Sequence, residues 1–325
     1  MGYNDKCIEE LLGFVRVRRW FVLINVNNLR RNDKNYNGNT SKFGVTYNGN
    51  DYIIKLSKDG FSVYSEFIAS NFIRVINIPC QQVSMGIYNN NIVNVILDFT
   101  SGTSLSLHSF KDTKQSSEDT DLSVKNYTYN DVLYLIDKHL KMSDSEKIKA
   151  KEQFWDMFIC DAILANRDRH WGNWGYLSNG VNYSIAPIYD NGATLFPGVS
   201  MVISDYIDSN KRRDFLYDRV YTFPASLFMM ERPDRPYRTN YAEMFSDLRF
   251  NKVFAGRVKF FKEKYSINDI FLKMFRVCAS SDLSNLGHWY KRFYTEIVTL
   301  RYACIVKRSD FDKVYKQVEG WLNGK

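Results

Sequence analysis

Cysteine is sparse in this sequence and poorly placed for any cross-linked or metal-bound framework. Cys7, Cys80, Cys160, Cys278 and Cys304 are scattered and odd in number. None forms a C-x-x-C pair or stands near a histidine at zinc spacing, which argues against a disulfide scaffold and a zinc site. Reduced, structural thiols are the expectation. No apolar run approaches the roughly 20 residues needed to cross a bilayer, so no membrane span is expected. Met1-Gly2-Tyr3-Asn4-Asp5-Lys6 leads into Glu9 and Glu10 without an apolar signal core. Lys6 also stands where N-myristoylation requires Ser or Thr. The expectation is a cytoplasmic protein, or one exported without a conventional signal peptide. Internal repeats, a G-x-G-x-x-G loop and a Walker A loop are all absent.

What the chain does have is enough apolar material for two lobes with a core each: 325 residues, 45% of them hydrophobic. Lysine and arginine (44) exceed aspartate and glutamate (36), for a net charge of +8. Such a balance suits nucleic acid, acidic partners or a polyphosphate substrate. The basic residues fall in short clusters, Arg16 to Arg19, Arg30-Arg31 and Lys211 to Arg213, which read as solvated surface. With no recognised DNA-binding motif, direct contact with nucleic acid is not expected.

The N-terminal part reads as strands and turns. Arg19 to Val26 is rich in β-branched and aromatic residues, and Asn32 to Gly38 is a polar loop. Phe43 to Tyr47 and Tyr52 to Leu56 flank Asn48-Gly49-Asn50-Asp51, a hairpin pattern. Val63 to Val75 is an amphipathic helix with Phe67, Ile68, Phe72 and Val75 on one side. Met85 to Tyr88 and Ile92 to Leu97 pair across Asn89-Asn90-Asn91, with a break at Thr100 to Thr103. Ser109 to Asn126 is polar and is expected to be an exposed loop.

Helices follow. Thr128 with Asp131, and Ser143 with Glu146, have capping-box spacing. The second of these helices carries Ile148, Trp155, Phe158, Ile159, Ala162 and Ile163 on one face. Trp174 to Leu177 and Tyr183 to Ile188 form another expected hairpin. Pro197 to Tyr241 reads as irregular, and amphipathic helices return after Tyr241. The implied order is a β-rich lobe over residues 1–105, a linker over 106–127 and an α-rich lobe over 128–325.

Directly after the buried helix comes Asn166-Arg167-Asp168-Arg169-His170-Trp171-Gly172-Asn173, and later Tyr189-Asp190-Asn191-Gly192. Phosphoryl transfer needs a carboxylate to orient the attacking hydroxyl and oxygen ligands to hold Mg²⁺ against nucleotide phosphates. Protein kinases use R-D-x-x-x-x-N, then an Asp-containing tripeptide ending in Gly. Arg167-Asp168 and Asn173 keep that spacing, and Asp190-Asn191-Gly192 supplies the second ligand. Lys55, within an apolar strand, and Glu66, on the next helix, fit the lysine–glutamate pair that holds nucleotide phosphates. The alternative for these two is a solvated sheet edge and a solvated helix face. In the loop Asn37 to Gly44, Thr40, Ser41 and Lys42 offer hydroxyl and amine donors, and small residues let backbone N–H groups approach phosphate; a plain flexible turn is the alternative reading. His170, without a second histidine nearby, points to hydrogen-bonded support of the loop rather than to a metal.

Asp168-x-His170-x-x-Asn173, then Ala186-Pro187-Ile188-Tyr189-Asp190, with Tyr52-Ile53-Ile54-Lys55 and Glu66 upstream, resembles the HipA-like serine/threonine kinases. The resemblance implies an α+β, bilobal, protein-kinase-like fold that uses ATP and Mg²⁺ on protein substrates. It implies Asp168 as catalytic base, Asn173 and Asp190 as Mg²⁺ ligands, and Lys55 on phosphate. Leu97 and Phe99 would offer backbone contacts to adenine, and Ser41 or Thr40 would be autophosphorylation sites. Two positions depart from the kinase pattern: Asn166 replaces the histidine of H-R-D, and Asn191 replaces the Phe after the metal-binding Asp. Asp-Arg-His-x-x-Asn with Asp-x-Gly is also similar to phosphoinositide kinases, which keeps a lipid acceptor open. A nucleotide-binding pseudokinase that acts by docking is the other alternative. HipA proteins often work with a DNA-binding antitoxin, and nothing in the sequence identifies such a partner.

Overall fold

A computed structural model describes residues 23–34, 36, 41–57, 60–112, 128–138, 141–221, 240–248 and 251–324. Half of the strand expectation over Arg19 to Val26 lies outside these residues, as do Thr40 and most of the Ser109 to Asn126 loop.

Two tight Asn turns organise the N-terminal sheet. Strands β1 (Ile24–Asn25), β2 (Arg30–Arg31), β3 (Lys42–Tyr47) and β4 (Asn50–Lys55) are followed by helix α1 (Ser62–Val75). Strands β5 (Val83–Tyr88) and β6 (Asn91–Leu97) complete the sheet, in the order β1-β5-β6-β4-β3-β2. Tyr47 pairs with Asn50 across Asn48-Gly49, whose φ angles are 49° and 78°. Tyr88 pairs with Asn91 across Asn89-Asn90, at 48° and 61°. Both are two-residue loops with positive φ at each central position, the turn whose twist matches paired strands.

The sheet buries both faces. Val45, Ile54, Val93 and Val95 pack with Val26 on one side. Met85, Val83 and Ile96 join α1 in the main core on the other. Phe67, Ile68 and Phe72 are buried as their spacing predicts, but Val75 is 38% exposed. The helix turns it outward in its last turn, where the Val75 carbonyl instead accepts from Lys273 Nζ at 2.9 Å. Ser65, Glu66 and Ser70 are fully buried on the same helix, a polar load that packing alone does not require.

Strand β7 (Ser106–Ser109) pairs with β8 (Gly175–Ser178), which pairs with β9 (Tyr183–Ile185), so the hairpin expected over Trp174 to Ile188 is present. Phe110, read from sequence as the start of an exposed loop, is fully buried and stacks on Trp174 with ring centroids 3.9 Å apart. One aromatic residue at the edge of a polar stretch carries too little pattern to reveal this.

The rest is helical. Helix α2 (Tyr129–Lys138) precedes the long α3 (Asp144–Leu164). Thr128 and Asp131 cap each other reciprocally, whereas Ser143 caps α3 alone and Glu146 turns to Lys149. Trp155, Phe158, Ile159, Ala162 and Ile163 are buried, but Ile148 is 60% exposed in the first turns, beyond the reach of the core. Within the stretch Pro197 to Tyr241, read as irregular, the described residues carry α4 (Ile203–Ile207) and α5 (Arg212–Tyr221), and 222–239 lie outside the described residues. Helix α5 is mostly polar, and only Arg212, Phe215, Leu216 and Val220 are buried. Helices α6 (Tyr241–Asp247), α7 (Lys252–Lys264), α8 (Ile267–Cys278), α9 (His288–Arg301) and α10 (Phe311–Leu322) complete the α-rich lobe. The fold is α+β, a curled sheet followed by helices. Helix α8 packs on α1, and Tyr265 Oη donates to the Ile76 carbonyl, tying the two parts together.

Candidate active site

Three charged groups from three elements meet between the sheet and the helical lobe. Lys55, the last residue of β4, places Nζ 2.6 Å from Glu66 Oε2 on α1 and 2.6 Å from Asp190 Oδ1. The solvated-edge alternative for Lys55 and Glu66 therefore does not describe this pair: their side chains are 14% and 0% exposed. The Asp190 side chain is 39% exposed. Burial works against the Lys55 ammonium, but the Glu66 and Asp190 carboxylates outweigh it and raise its pKa above the usual lysine value. Burial likewise opposes the Asp190 carboxylate, and Lys55, then Arg169 and Lys42, pull its pKa below the usual range.

Glu66 is fixed at both oxygens. Oε1 accepts from the Asn191 backbone N–H at 2.7 Å and from Gln81 Nε2. At Gly192, an added Cβ would lie 3.1 Å from Glu66 Oε2 and 3.6 Å from Lys55 Nζ, so the chain passes close over the pair.

The Asp168 loop begins where α3 ends. Ala165 adopts a left-handed conformation at φ 54° and terminates the helix. Asn166 Nδ2 donates to Asp161 Oδ1 at 2.8 Å, and its Oδ1 accepts from the Asp168 backbone N–H at 3.0 Å. The residue that replaces the kinase histidine thus still holds the loop. Asp168 itself is exposed, and among the described residues its carboxylate enters no ion pair. Asn173, 6% exposed, donates Nδ2 to the Asp168 carbonyl at 2.7 Å, which leaves its amide oxygen as the free acceptor. His170 Nδ1 accepts from the Gly172 N–H at 3.0 Å.

Arg169 joins the loop to the Asp190 segment. Fully buried, it grips Asp161 with Nε and Nη2 at 2.9 and 3.0 Å. It also donates to the Asn173 carbonyl at 2.8 Å, the Tyr189 carbonyl and Asn191 Oδ1 at 2.6 Å. Asp190 follows with φ 56°, an uncommon conformation that Asp tolerates better than most residues and that functional sites often retain.

The remaining candidates lie around this centre. Lys42 faces Lys55 across the β3–β4 hairpin, and burial lowers its pKa. Ser41 is exposed at the start of β3. The Leu97 N–H is committed to the Gln82 carbonyl at 3.0 Å, so only its carbonyl side is available to a base. The Phe99 ring lies 6.2 Å from Tyr189, next to Asp190. Between Leu97 and Phe99, buried Asp98 accepts from Lys34 and Tyr36, each at 3.0 Å. Sequence reasoning missed Asp161, Arg169, Asn191, Gln81 and Ser70 as site residues. Asp161 within Phe158-Ile159-Cys160-Asp161-Ala162-Ile163 was the available signal, since an unpaired charge on a buried face is costly.

The oxygen donors of Asn173 and Asp190 suit a hard cation such as Mg²⁺. No cluster of three or more His, Cys, Asp or Glu among the described residues forms a closed metal cage. An ion held by these two would complete its shell with water and phosphate, as Mg²⁺ commonly does.

Comparison with known proteins bears on the family and the fold. The sequence profile of the HipA-like C-terminal domain matches residues 35–226. The serine/threonine-protein kinase CtkA of Helicobacter pylori is 34% identical over 214 residues, 62% of this chain and 63% of that protein. The alignment thus spans less than two thirds of that relative's length. The crystal structure of a proinflammatory kinase CtkA from Helicobacter pylori superposes with a TM-score of 0.73 at 26% identity. It covers 92% of this chain and 99% of that one. HipA of Shewanella oneidensis, solved with HipB and operator DNA, shares the fold at a TM-score of 0.52 and 12% identity, over 96% and 72% of the two chains.

Proposed function

The chain belongs to the HipA-like C-terminal domain family, and from that premise we propose that it is a Mg²⁺- and ATP-dependent protein serine/threonine kinase. The observation that carries the reading is the triad of Lys55, Glu66 and Asp190, paired at 2.6 Å on each side of the ammonium. Kinases need the lysine–glutamate pair and the metal-binding aspartate in place together, and these are the groups that converge here.

Lys55 binds the nucleotide phosphates, held by Glu66 at the required angle. Asp168 accepts the proton of the incoming hydroxyl as its oxygen bonds to the γ-phosphorus and the bond to the ADP oxygen breaks. Its exposure, beside a loop anchored through Asn166 and Arg169, lets a protein substrate approach a rigidly mounted carboxylate. Asn173 and Asp190 would hold Mg²⁺, which when bound offsets charge on the transferring phosphoryl group. Lys42 adds positive charge beside the phosphates, Leu97 and Phe99 line the base side, and Ser41 and Thr40 are the proposed autophosphorylation sites. Lys211 and Arg213, on either side of buried Arg212 at the start of α5, are a proposed contact for acidic substrate segments.

The test is transfer from γ-labelled ATP with Mg²⁺ to the protein itself and to a basic protein substrate, beside Asp168→Ala and Asp190→Ala. Label on protein that falls roughly 100-fold or more in both variants is the expected result. Label on phosphoinositide but not on protein would make this a lipid kinase. An ATP-induced rise in melting temperature without label would make it a nucleotide-binding docking module. The absence of both label and thermal shift would overturn the kinase reading.

A further inference from the structure

The position after the metal-binding aspartate is held by Phe in the kinase D-F-G tripeptide, and the packing of that ring sets the active or inactive state. Apolar packing is non-directional, so a ring can leave its slot for another apolar environment. Here the position is Asn191, fully buried, and every polar group it carries is bonded. Its Nδ2 donates to Ser70 Oγ at 2.9 Å and toward Cys80 Sγ at 3.5 Å. Its Oδ1 accepts from Arg169 at 2.6 Å, its N–H donates to Glu66 Oε1 at 2.7 Å, and its carbonyl accepts from Thr194 Oγ1 at 2.7 Å.

These bonds reach two different bodies. Glu66 and Ser70 are four residues apart on one face of α1. Arg169 belongs to the loop that carries Asp168 and Asn173. Gln81 closes the ring by donating to Glu66 and, at 3.2 Å, to Ser70. Moving Asn191 out would strand buried donors and acceptors on both sides at once, and a buried polar group without a partner is expensive. The helix bearing Glu66 and the segment bearing Asp190 are therefore joined by directional bonds.

Given the kinase reading above, on which this inference rests, we propose that Asn191 is a positioning residue that locks α1 against the catalytic loop. The lock pre-forms the Lys55–Glu66–Asp190 triad without a separate activating event. Ser70 is its partner on the helix.

The test compares Asn191→Ala, Ser70→Ala and the double variant with the parent protein. Two readouts are used: kcat and KM for ATP, and hydrogen exchange over 62–75, with 311–322 as a remote reference. The lock predicts a rise in KM for ATP together with a fall in kcat, so that kcat/KM drops about tenfold or more in Asn191→Ala. A residue that only stabilised the fold would lower the active fraction, and hence apparent kcat, at unchanged KM. Ser70→Ala, the milder change, should lose several-fold, and the double variant should be no worse than Asn191→Ala because both remove one connection. Exchange over 62–75 should quicken in Asn191→Ala while 311–322 stays as in the parent. Parent-like KM, strictly additive losses, or unchanged exchange over 62–75 would each overturn the lock. Hydrogen exchange needs no activity, so failure of the kinase reading would show as an inactive parent whose 62–75 segment still loosens in the variant.

Discussion

Arg169→Met is the perturbation with the clearest physical consequence in this protein. The guanidinium is fully buried and makes bidentate contact with Asp161, which is 1% exposed. Removing it leaves a carboxylate in a low-dielectric interior with, among the described residues, only the Asn166 Nδ2 side-chain donor. Breaking a buried pair from one side costs about 3–5 kcal/mol, because the partner charge is stranded. The Asn173 and Tyr189 carbonyls and Asn191 Oδ1 also lose their donor, at roughly 1–3 kcal/mol each if nothing replaces it. These losses overlap and do not add fully, but about 4 kcal/mol is a floor. Against a total stability on the order of 5–15 kcal/mol, Arg169→Met should lie near the edge of folding.

Urea unfolding, followed by tryptophan fluorescence, measures the loss directly. The decisive comparison is the double variant Asp161→Asn/Arg169→Met. It removes the stranded charge yet keeps an oxygen for Asn166, so it should recover about 2 kcal/mol or more of the single variant's loss. A single variant within about 1 kcal/mol of the parent would refute the reasoning. So would a double variant no more stable than the single one, since the cost would then not arise from the stranded carboxylate.

Two further outcomes are expected. Glu296 is fully buried beside Tyr206 and Arg292, and burial pushes its pKa up to about 8 from an ordinary 4.5. An acid whose folded pKa is raised lends stability below its unfolded pKa, and that stability drains as pH rises through the folded value. The parent should therefore lose ground to Glu296→Gln between about pH 4.5 and 8, by roughly 1.4 kcal/mol per pH unit at most, in paired thermal melts. Gly175→Ala would put Cβ 2.1 Å from the His108 carbonyl oxygen, which belongs to the paired strand and cannot swing aside. Separation of β7 from β8 should cost about 2 kcal/mol, seen as a lower urea midpoint and faster exchange at Leu107 and Leu177.

Much of the architecture could be read from short-range pattern. The Asn turns, the alternating strands and the caps at Thr128 and Ser143 are local features, decided by backbone conformations that few residues tolerate. The misreadings share a cause. Ile148 and Val75 keep helical phase but lie near helix ends where, among the described residues, little covers them, and Phe110 is buried against Trp171, Trp174 and Tyr176, more than sixty residues on. Helix α5 escaped notice because its exposed face outweighs its apolar stripe.

The site divides along the same line. By itself, the sequence singled out the candidates Lys55, Glu66, Asp168, Asn173 and Asp190, in the order and local context that phosphoryl transfer would require. Residue type and spacing along one loop are enough for that, because a carboxylate and an amide at i and i+5 of one turn can only be near each other. Whether Lys55 was solvated or paired was a different kind of question. Its answer depended on Asp190, 135 residues further on, coming within 2.6 Å, and no local pattern encodes such a meeting. The same holds for Arg169 and Asn191, whose importance lies wholly in what surrounds them. A buried polar side chain is tolerated only when distant parts of the chain satisfy it, and folding alone brings those parts together.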